Sequence, residues 1–312
     1  MDAFYGVYLV PVPMPTRMKQ VNCFIGEGPD GWVVVDTGFD LEMTMDAWQR
    51  ALDGLKLSFI NIHTVFVTHR HPDHLGFAGK MQRLTGAEVY LPEEDLEYVR
   101  KSLLPDASEA RIRFYEYYHV SPEAIGLIDN HYKRFHLDTG ARLTPVRTDY
   151  TLKIGELEYR MIHTPGHTDG HFAWYNDKEK VLFIGDHVLP DIFPNVSKMH
   201  ITSDNPLRRY LESLNTLKEL EVNLVIPSHG EPFENLSGRI EETIEYHLKR
   251  CDAIEEVLLR HRDLEGITRR LYGDRLKPSN LASSFGDVLS HLRYLESVGR
   301  VTEENGFFYR NR

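Results

Sequence analysis

The sequence predicts an α+β fold in which two β-rich blocks are wrapped by helices and followed by a small winged-helix-like domain. Three observations lead there. Short apolar runs punctuated by Gly, Pro and Asp fill one stretch before residue 92 and another after residue 136. Stretches with helical spacing lie between the later runs. From Arg239 onward the pattern turns helical and closes on a hairpin built on Asn305-Gly306. A length of 312 residues fits about two domains, and the change in composition sets them at 1–238 and 239–312.

In chain order, residues 5–11 and 21–25 read as strands, the second running into the turn Gly26-Glu27-Gly28-Pro29-Asp30-Gly31. The strand at 32–35 stops at Asp36-Thr37-Gly38, and a helix over 41–55 precedes a short buried strand at 64–67. A helix over 77–85 ends at Gly86, and a strand follows at 88–91. Residues 93–136 read as helices separated by Pro105 and Pro122 and rich in aromatics, among them Tyr98, Tyr115, Tyr118, Tyr132 and Phe135. An insertion of that length and composition suits a lid over a site. The second β-rich block carries hairpin signals at Ile154-Gly155-Glu156 and Asn176-Asp177-Lys178, and its strand at 181–184 ends at Gly185-Asp186-His187. After a helix over 207–220, the strand at 224–227 ends at Ser228-His229-Gly230. Helices are expected at 240–264, 267–272 and 285–298.

Lys and Arg number 36 against 47 Asp and Glu, a net charge of −11, with 41% hydrophobic residues to build a core. Coating a phosphate backbone needs clustered cations, so nucleic acid is a disfavoured partner and a small-molecule substrate the favoured one. The tail, 239–312, balances 13 basic with 13 acidic residues and shows no basic stripe. Cys23 and Cys251 stand far apart, which excludes a disulfide scaffold or a cysteine-rich zinc module. No run approaches the ~18 apolar residues of a membrane span, and no leader pattern is visible. A soluble cytoplasmic protein is expected, with a homodimer as the assembly considered.

Histidine is abundant, at 16, and its placement is the central signal. Thr68-His69-Arg70-His71-Pro72-Asp73-His74 directly follows the strand at 64–67. Imidazoles and a carboxylate gathered at a strand end suit Zn²⁺, Fe²⁺ or Mn²⁺. His167 in Thr164-Pro165-Gly166-His167-Thr168, together with Asp186 and His229, falls at or beyond other strand ends. His69, His71, Asp73, His74, His167, Asp186 and His229 then supply seven ligands, enough for two metals sharing one carboxylate. Asp36 is a candidate for orienting a ligand imidazole and equally for a plain turn residue. His171 is expected to support its loop, and His163 and His187 flank ligand motifs. His63, His119, His131, His136 and His200 are expected at ordinary surface or core positions.

These ordered motifs resemble the metallo-β-lactamase superfamily over about residues 5–235. The resemblance implies a four-layer αβ/βα sandwich with a dinuclear site at one edge of its two sheets. It implies that His69, His71 and His167 hold one metal, that Asp73, His74 and His229 hold the other, and that Asp186 bridges them. Spacing alone does not order these pairings. The implied cofactor is two divalent ions, zinc first, with iron or manganese as alternatives. Two such cations would turn a bridging water into hydroxide, with Asp73 as the catalytic residue that orients it or carries a proton to the leaving group. The Asp186 position is not cysteine, in contrast to the true zinc β-lactamases, which argues against penicillin as the main substrate.

Fold does not name a reaction. The chain has no room for a flavodoxin module or an inserted second nuclease domain, and shows no tRNA-processing arm. The expectation is a binuclear metal-dependent hydrolase of a small ester-like substrate, a thioester or lactone, as in glyoxalase II-like enzymes. The alternative is an endoribonuclease that uses the winged helix to hold RNA. A metal-binding protein without catalysis and a mononuclear iron dioxygenase rank below both. The Pro-stiffened loop 189–195 is expected to line the pocket.

Overall fold

Side chains alternate across the faces of each strand, and that alternation sets the layering here. The computed structural model describes residues 2–134, 139–147 and 150–311; Phe135 and His136 fall outside them. The first sheet holds β1 (Ala3–Phe4), β2 (Val7–Pro13), β3 (Gln20–Gly28), β4 (Gly31–Val35), β5 (Ile62–Phe66), β6 (Glu88–Pro92) and β7 (Leu143–Val146), side by side in chain order. The second holds β8 (Thr151–Ile154), β9 (Leu157–His163), β10 (Phe172–Asn176), β11 (Val181–Gly185) and β12 (Leu224–Pro227). Pairing is parallel from β4 to β7 and between β11 and β12, and antiparallel elsewhere.

Parallel neighbours need crossovers, and helices supply them. Helix α1 (Glu42–Leu55) joins β4 to β5, while α2 (Pro72–Leu75) and α3 (Ala78–Thr85) join β5 to β6. Helices α4 (Glu93–Ser102), α5 (Ala107–Tyr117) and α6 (Pro122–Arg134) form the aromatic insertion before β7, and α7 (Pro206–Lys218) joins β11 to β12. Phe24, Val33 and Phe66 meet Phe172, Trp174 and Phe183 between the two sheets. The opposite face of the first sheet, with Val21, Cys23 and Val34, packs on Trp48 and Leu52 of α1. Ala173, Leu182 and Ile184 on the outer face of the second sheet pack on Tyr210 and Leu214 of α7. The result is four layers in the order helix, sheet, sheet, helix.

The chain ends in α8 (Leu236–Val257), α9 (Leu264–Tyr272), α10 (Leu281–Ser297) and the hairpin of β13 (Val301–Glu304) with β14 (Phe307–Arg310). Asn235 caps α8 by accepting from the Gly238 N–H, so residue 238 lies in the helix's first turn. Ile240, Phe285 and Phe308 share one continuous core with Tyr210 and the second sheet. The aromatic insertion joins that core: Tyr115 meets Phe285 at 6.2 Å and Tyr118 stacks on Phe308 at 5.9 Å between ring centres.

Three expectations change. The strand at 5–11 is interrupted, because Tyr5 and Gly6 turn with φ of 52° and 77° and β2 starts only at Val7. The helix expected over 240–264 stops early, at Val257, and the one expected over 267–272 starts early, at Leu264, where the Asp263 carboxylate caps α9 by accepting from the Gly266 N–H at 2.7 Å. A capping side chain competes with continuation of the preceding helix. The last helix begins at Leu281, four residues before 285. No helix among the described residues is long and apolar enough to cross a membrane.

Trp32, Trp48 and Trp174 are the chain's three tryptophans, and all lie in the sandwich. Phe285→Ala should cost about 3–5 kcal/mol, as large-to-small changes in packed cores do. Because the tail shares its core with the second sheet, urea denaturation followed by tryptophan fluorescence should show the whole loss. An unchanged tryptophan midpoint would mean that the tail unfolds on its own.

Candidate metal centre

The seven candidate ligands come from five places along one edge of the sandwich. His69 and His71 lie in the loop after β5, and Asp73 and His74 sit on the short helix α2, started by Pro72. His167 is in the loop between β9 and β10, Asp186 follows β11, and His229 follows β12. The parallel strands β4, β5, β11 and β12 bring their C-terminal ends to this edge. Asn22 of β3 ties the edge across the sheets, its side-chain amide donating to the carbonyls of Pro227 and Gly230 at 3.1 and 2.9 Å.

The side chains gather into two sets, His69 with His71 and His167, and Asp73 with His74, Asp186 and His229. Within each set the donor atoms lie within 4.8 Å of one another. His69 Nε2 stands 3.0 Å from His71 Nδ1. Asp186 faces both sets: its Oδ2 is 3.6 Å from His167 Nε2 and 3.9 Å from His69 Nε2, while its Oδ1 is 3.5 Å from both His74 Nε2 and His229 Nε2. Asp73 Oδ2 lies 3.4 Å from His229 Nε2.

Outer hydrogen bonds decide which nitrogen points inward. His167 Nδ1 donates to the Asn195 carbonyl and His229 Nδ1 to the Gln20 carbonyl, each at 2.8 Å. His74 Nδ1 donates to Asp36 Oδ2, also at 2.8 Å. A carbonyl or carboxylate can only accept, so each of these imidazoles must carry its proton outside and turn Nε2 toward the cluster. The inward Nε2 atoms of His74, His167 and His229, with Asp186 Oδ1, are buried and without a hydrogen-bond partner among the described residues. Buried polar atoms are rarely left so. Convergent imidazole nitrogens and carboxylate oxygens are the donor set of Zn²⁺, Fe²⁺ or Mn²⁺, so the residues present fit a divalent cation.

Asp36, at φ +62°, also accepts from the Thr68 backbone N–H at 2.8 Å and from the Thr68 hydroxyl, and thus performs the orienting and the turning role together. His171 Nε2 accepts from the Asp186 N–H at 3.1 Å and its Nδ1 bonds the Thr164 hydroxyl at 2.7 Å, which places it behind the ligands. A Cβ on Gly185, at φ +58°, would come 2.5 Å from that Nε2. His187 bonds Ser213 at 2.7 Å. Sequence reasoning passed over Asp95. Its buried carboxylate accepts from the Arg70 backbone at 2.8 Å, the Arg70 guanidinium at 3.0 Å, the Thr168 hydroxyl at 2.8 Å and the Gly170 N–H at 3.1 Å, clamping two ligand loops together. Asp95 sits among exposed Glu93, Glu94 and Glu97, with no motif to mark it.

Burial, reinforced by neighbouring imidazoles, pushes His69 well below the ordinary imidazole range; burial likewise lowers His71 and His167. Burial also opposes charge on His74 and His229, but carboxylates outweigh it. Asp36, Asp186 and Asp73 hold His74 well above its usual value, and Asp186 with Asp73 raise His229 to about 10. Without metal the second set is therefore two imidazolium ions facing two carboxylates.

A cavity of about 460 Å³ opens beside His71 and Pro72. Its walls include Tyr98 of α4, Arg111 of α5, Tyr132 of α6, Met199, His200 and Ala282 of α10. The loop 189–195, expected to line the pocket, does not line this cavity. Arg239 pins it by donating to the carbonyls of Leu189 and Ile192 at 2.6 and 2.8 Å, and Phe193 stacks on Tyr246.

A sequence profile of the metallo-beta-lactamase superfamily matches residues 16–229. The chain is 25% identical over 268 residues to the beta-lactamase-like protein 2 homolog of Caenorhabditis elegans, covering 84% of this chain and 74% of that one. It is 22% identical over 316 residues to the probable metallo-hydrolase YqjP of Bacillus subtilis (strain 168), covering 95% and 94%. Among solved structures, the metallo-beta-lactamase family protein TTHA1429 from Thermus thermophilus superposes with a TM-score of 0.84 at 29% identity, over 98% of this chain and 99% of that one. A beta-lactamase domain protein from Burkholderia ambifaria gives the same score at 25% identity, over 100% and 94%. The profile takes in both sets of clustered side chains from His69 to His229, and the chain belongs to the metallo-β-lactamase superfamily of hydrolases.

Proposed function

We propose that this protein is a binuclear metal-dependent hydrolase of a small ester-like substrate, a thioester or a lactone. The inward convergence of the seven donors beside a largely apolar cavity carries the reading. His69, His71 and His167 would hold one cation, and Asp73, His74 and His229 another, with Asp186 turned to both. Divalent cations bound by these residues, zinc first and iron or manganese as alternatives, would supply a water of lowered pKa and a Lewis acid for the substrate carbonyl. In this reading Asp73 would take a proton from the attacking water and deliver it to the leaving group. Tyr98, Leu104 and Tyr132 line the cavity and would offer apolar contact to an acyl group beside His71.

Stripping metal with a chelator should abolish turnover of a thioester and lactone panel, and about two divalent ions per chain should restore it. At matched metal occupancy Asp73→Asn should lower kcat about 10²–10⁴-fold with an unchanged circular dichroism spectrum. Full activity in that variant would remove Asp73 from the chemistry.

Metal uptake should tighten as pH rises. His74 and His229 are raised and so protonated at neutral pH in the metal-free protein, and a cation must displace those protons. Calorimetry at pH 7 in buffers of different ionisation enthalpy should show about two protons released, and affinity should fall between pH 8 and pH 6. An affinity independent of pH contradicts this charge assignment.

RNA cleavage is the second reading, supported by a surface recess lined by Arg260, His261, Arg270 and Arg310 together with Glu256. Under that reading RNA affinity should drop by orders of magnitude between 50 and 200 mM salt. A small acyl substrate should show no such loss.

A further inference from the structure

The cavity beside His71 carries a charge pattern that its apolar walls do not require. The hydroxyls of Tyr98 and Tyr132 both donate to Met199 Sδ, at 3.3 and 3.1 Å, so two rings and a thioether form one continuous wall. A guanidinium lies over each ring: Arg70 is 3.8 Å from the Tyr98 centroid and Arg111 is 4.5 Å from that of Tyr132. The two cations are balanced differently. Arg70 is neutralised by Asp95, which is fully buried and, among the described residues, pairs with no other cation. Arg111 shares Asp129 with Lys133, whose Nζ lies 2.6 Å from that carboxylate, and Ser108 donates to it as well, at 2.7 Å.

Among the described residues, two cations on one carboxylate leave one positive charge in excess at the insertion end of the cavity, in a protein of net charge −11. Donors wait there too. The Arg111 side chain is about 7% exposed, and its buried Nε has no hydrogen-bond partner among the described residues. The Nε2 of His200, in the same wall, is likewise buried and unpartnered. Burial, aided by Arg111 and Lys198, pushes His200 down to about 4, so it is neutral at pH 7 and adds nothing to the excess.

We propose that this cavity is a subsite for an apolar, singly anionic group. The apolar body lies along Tyr98, Tyr132 and Met199, and a terminal carboxylate meets Arg111 and Lys133. Resting on the hydrolase reading, this names the substrate class: an acyl compound whose carbonyl sits at the metal edge and whose far end is a carboxylate. A purely aliphatic acyl group would leave the charge and the Arg111 Nε unanswered, at a cost of desolvation without return.

The test needs no turnover. Metal-free protein is titrated by calorimetry with 4-phenylbutyrate and with its neutral counterpart, 4-phenylbutyramide. The acid should bind at least about tenfold more tightly, the scale of one charge-assisted hydrogen bond. Lys133→Met, at an exposed position that leaves Asp129 paired, should remove most of that preference while the amide binds as before. Arg111→Lys keeps the charge and deletes the Nε donor, and should weaken the acid alone. Equal binding of acid and amide, or no binding of either, overturns the proposal. A preference that survives both variants also overturns it, because the carboxylate would then sit against His74 and His229. A parallel assay compares hexanoyl and adipoyl thioesters of N-acetylcysteamine on the metal-loaded enzyme, where adipoyl should win through KM. If neither thioester is cleaved while 4-phenylbutyrate still binds through Lys133, the hydrolase reading fails and the subsite stands.

Discussion

Two carboxylates, Asp73 and Asp186, lie buried among five imidazoles, and an ion removed from water this way is strongly destabilising unless it is partnered. The architecture at this edge answers that constraint. Parallel strands deliver their C-terminal ends to one line, so each ligand is held by a rigid element and needs only a short loop to reach the cluster. His74 and His229 neutralise the carboxylates when no cation is bound, and the same pair must give up protons when one is. The cluster is therefore built for exchange of positive charge.

Rigidity around the cluster comes from groups that point away from it. Asp36 holds Thr68 and His74 from a left-handed backbone conformation that costs about 1–2 kcal/mol in a non-glycine residue. Its hydrogen bonds offset that strain and fix the His74 ring. Asp95 does the corresponding work from the helical insertion, reaching the loop of His69 and the loop of His167 at once. The insertion thus both walls the cavity and positions ligands.

Much of this was legible in the sequence because the features are local. Strands ending in Asp36, Asp186 or His229 announce themselves by a β-rich run followed by Gly or Pro, and the dense histidine motif needs no partner to be seen. The helix breaks at Pro105 and Pro122 were readable for the same reason, since proline acts on its own backbone. What escaped was relational. Asp95 and Glu94 look alike until the fold buries one of them, and His200 gains meaning only beside Arg111. The boundary between α8 and α9 lies several residues earlier than expected, because the Asp263 cap starts α9 at Leu264, which periodicity over 240–264 does not weigh.

Two stretches far apart in sequence meet in the cavity wall. Tyr98, Arg111 and Tyr132 come from the insertion, whereas Ala282 and Ser283 come from the tail, and the two are riveted by Tyr117 to Glu303 and by Arg293 to Tyr118. A chain ending at residue 238 would retain all seven donors and lose one side of the vessel in which a substrate is held. Selectivity can consequently drift through exchanges at the insertion–tail seam, far apart in sequence, while the reactive edge is inherited unaltered.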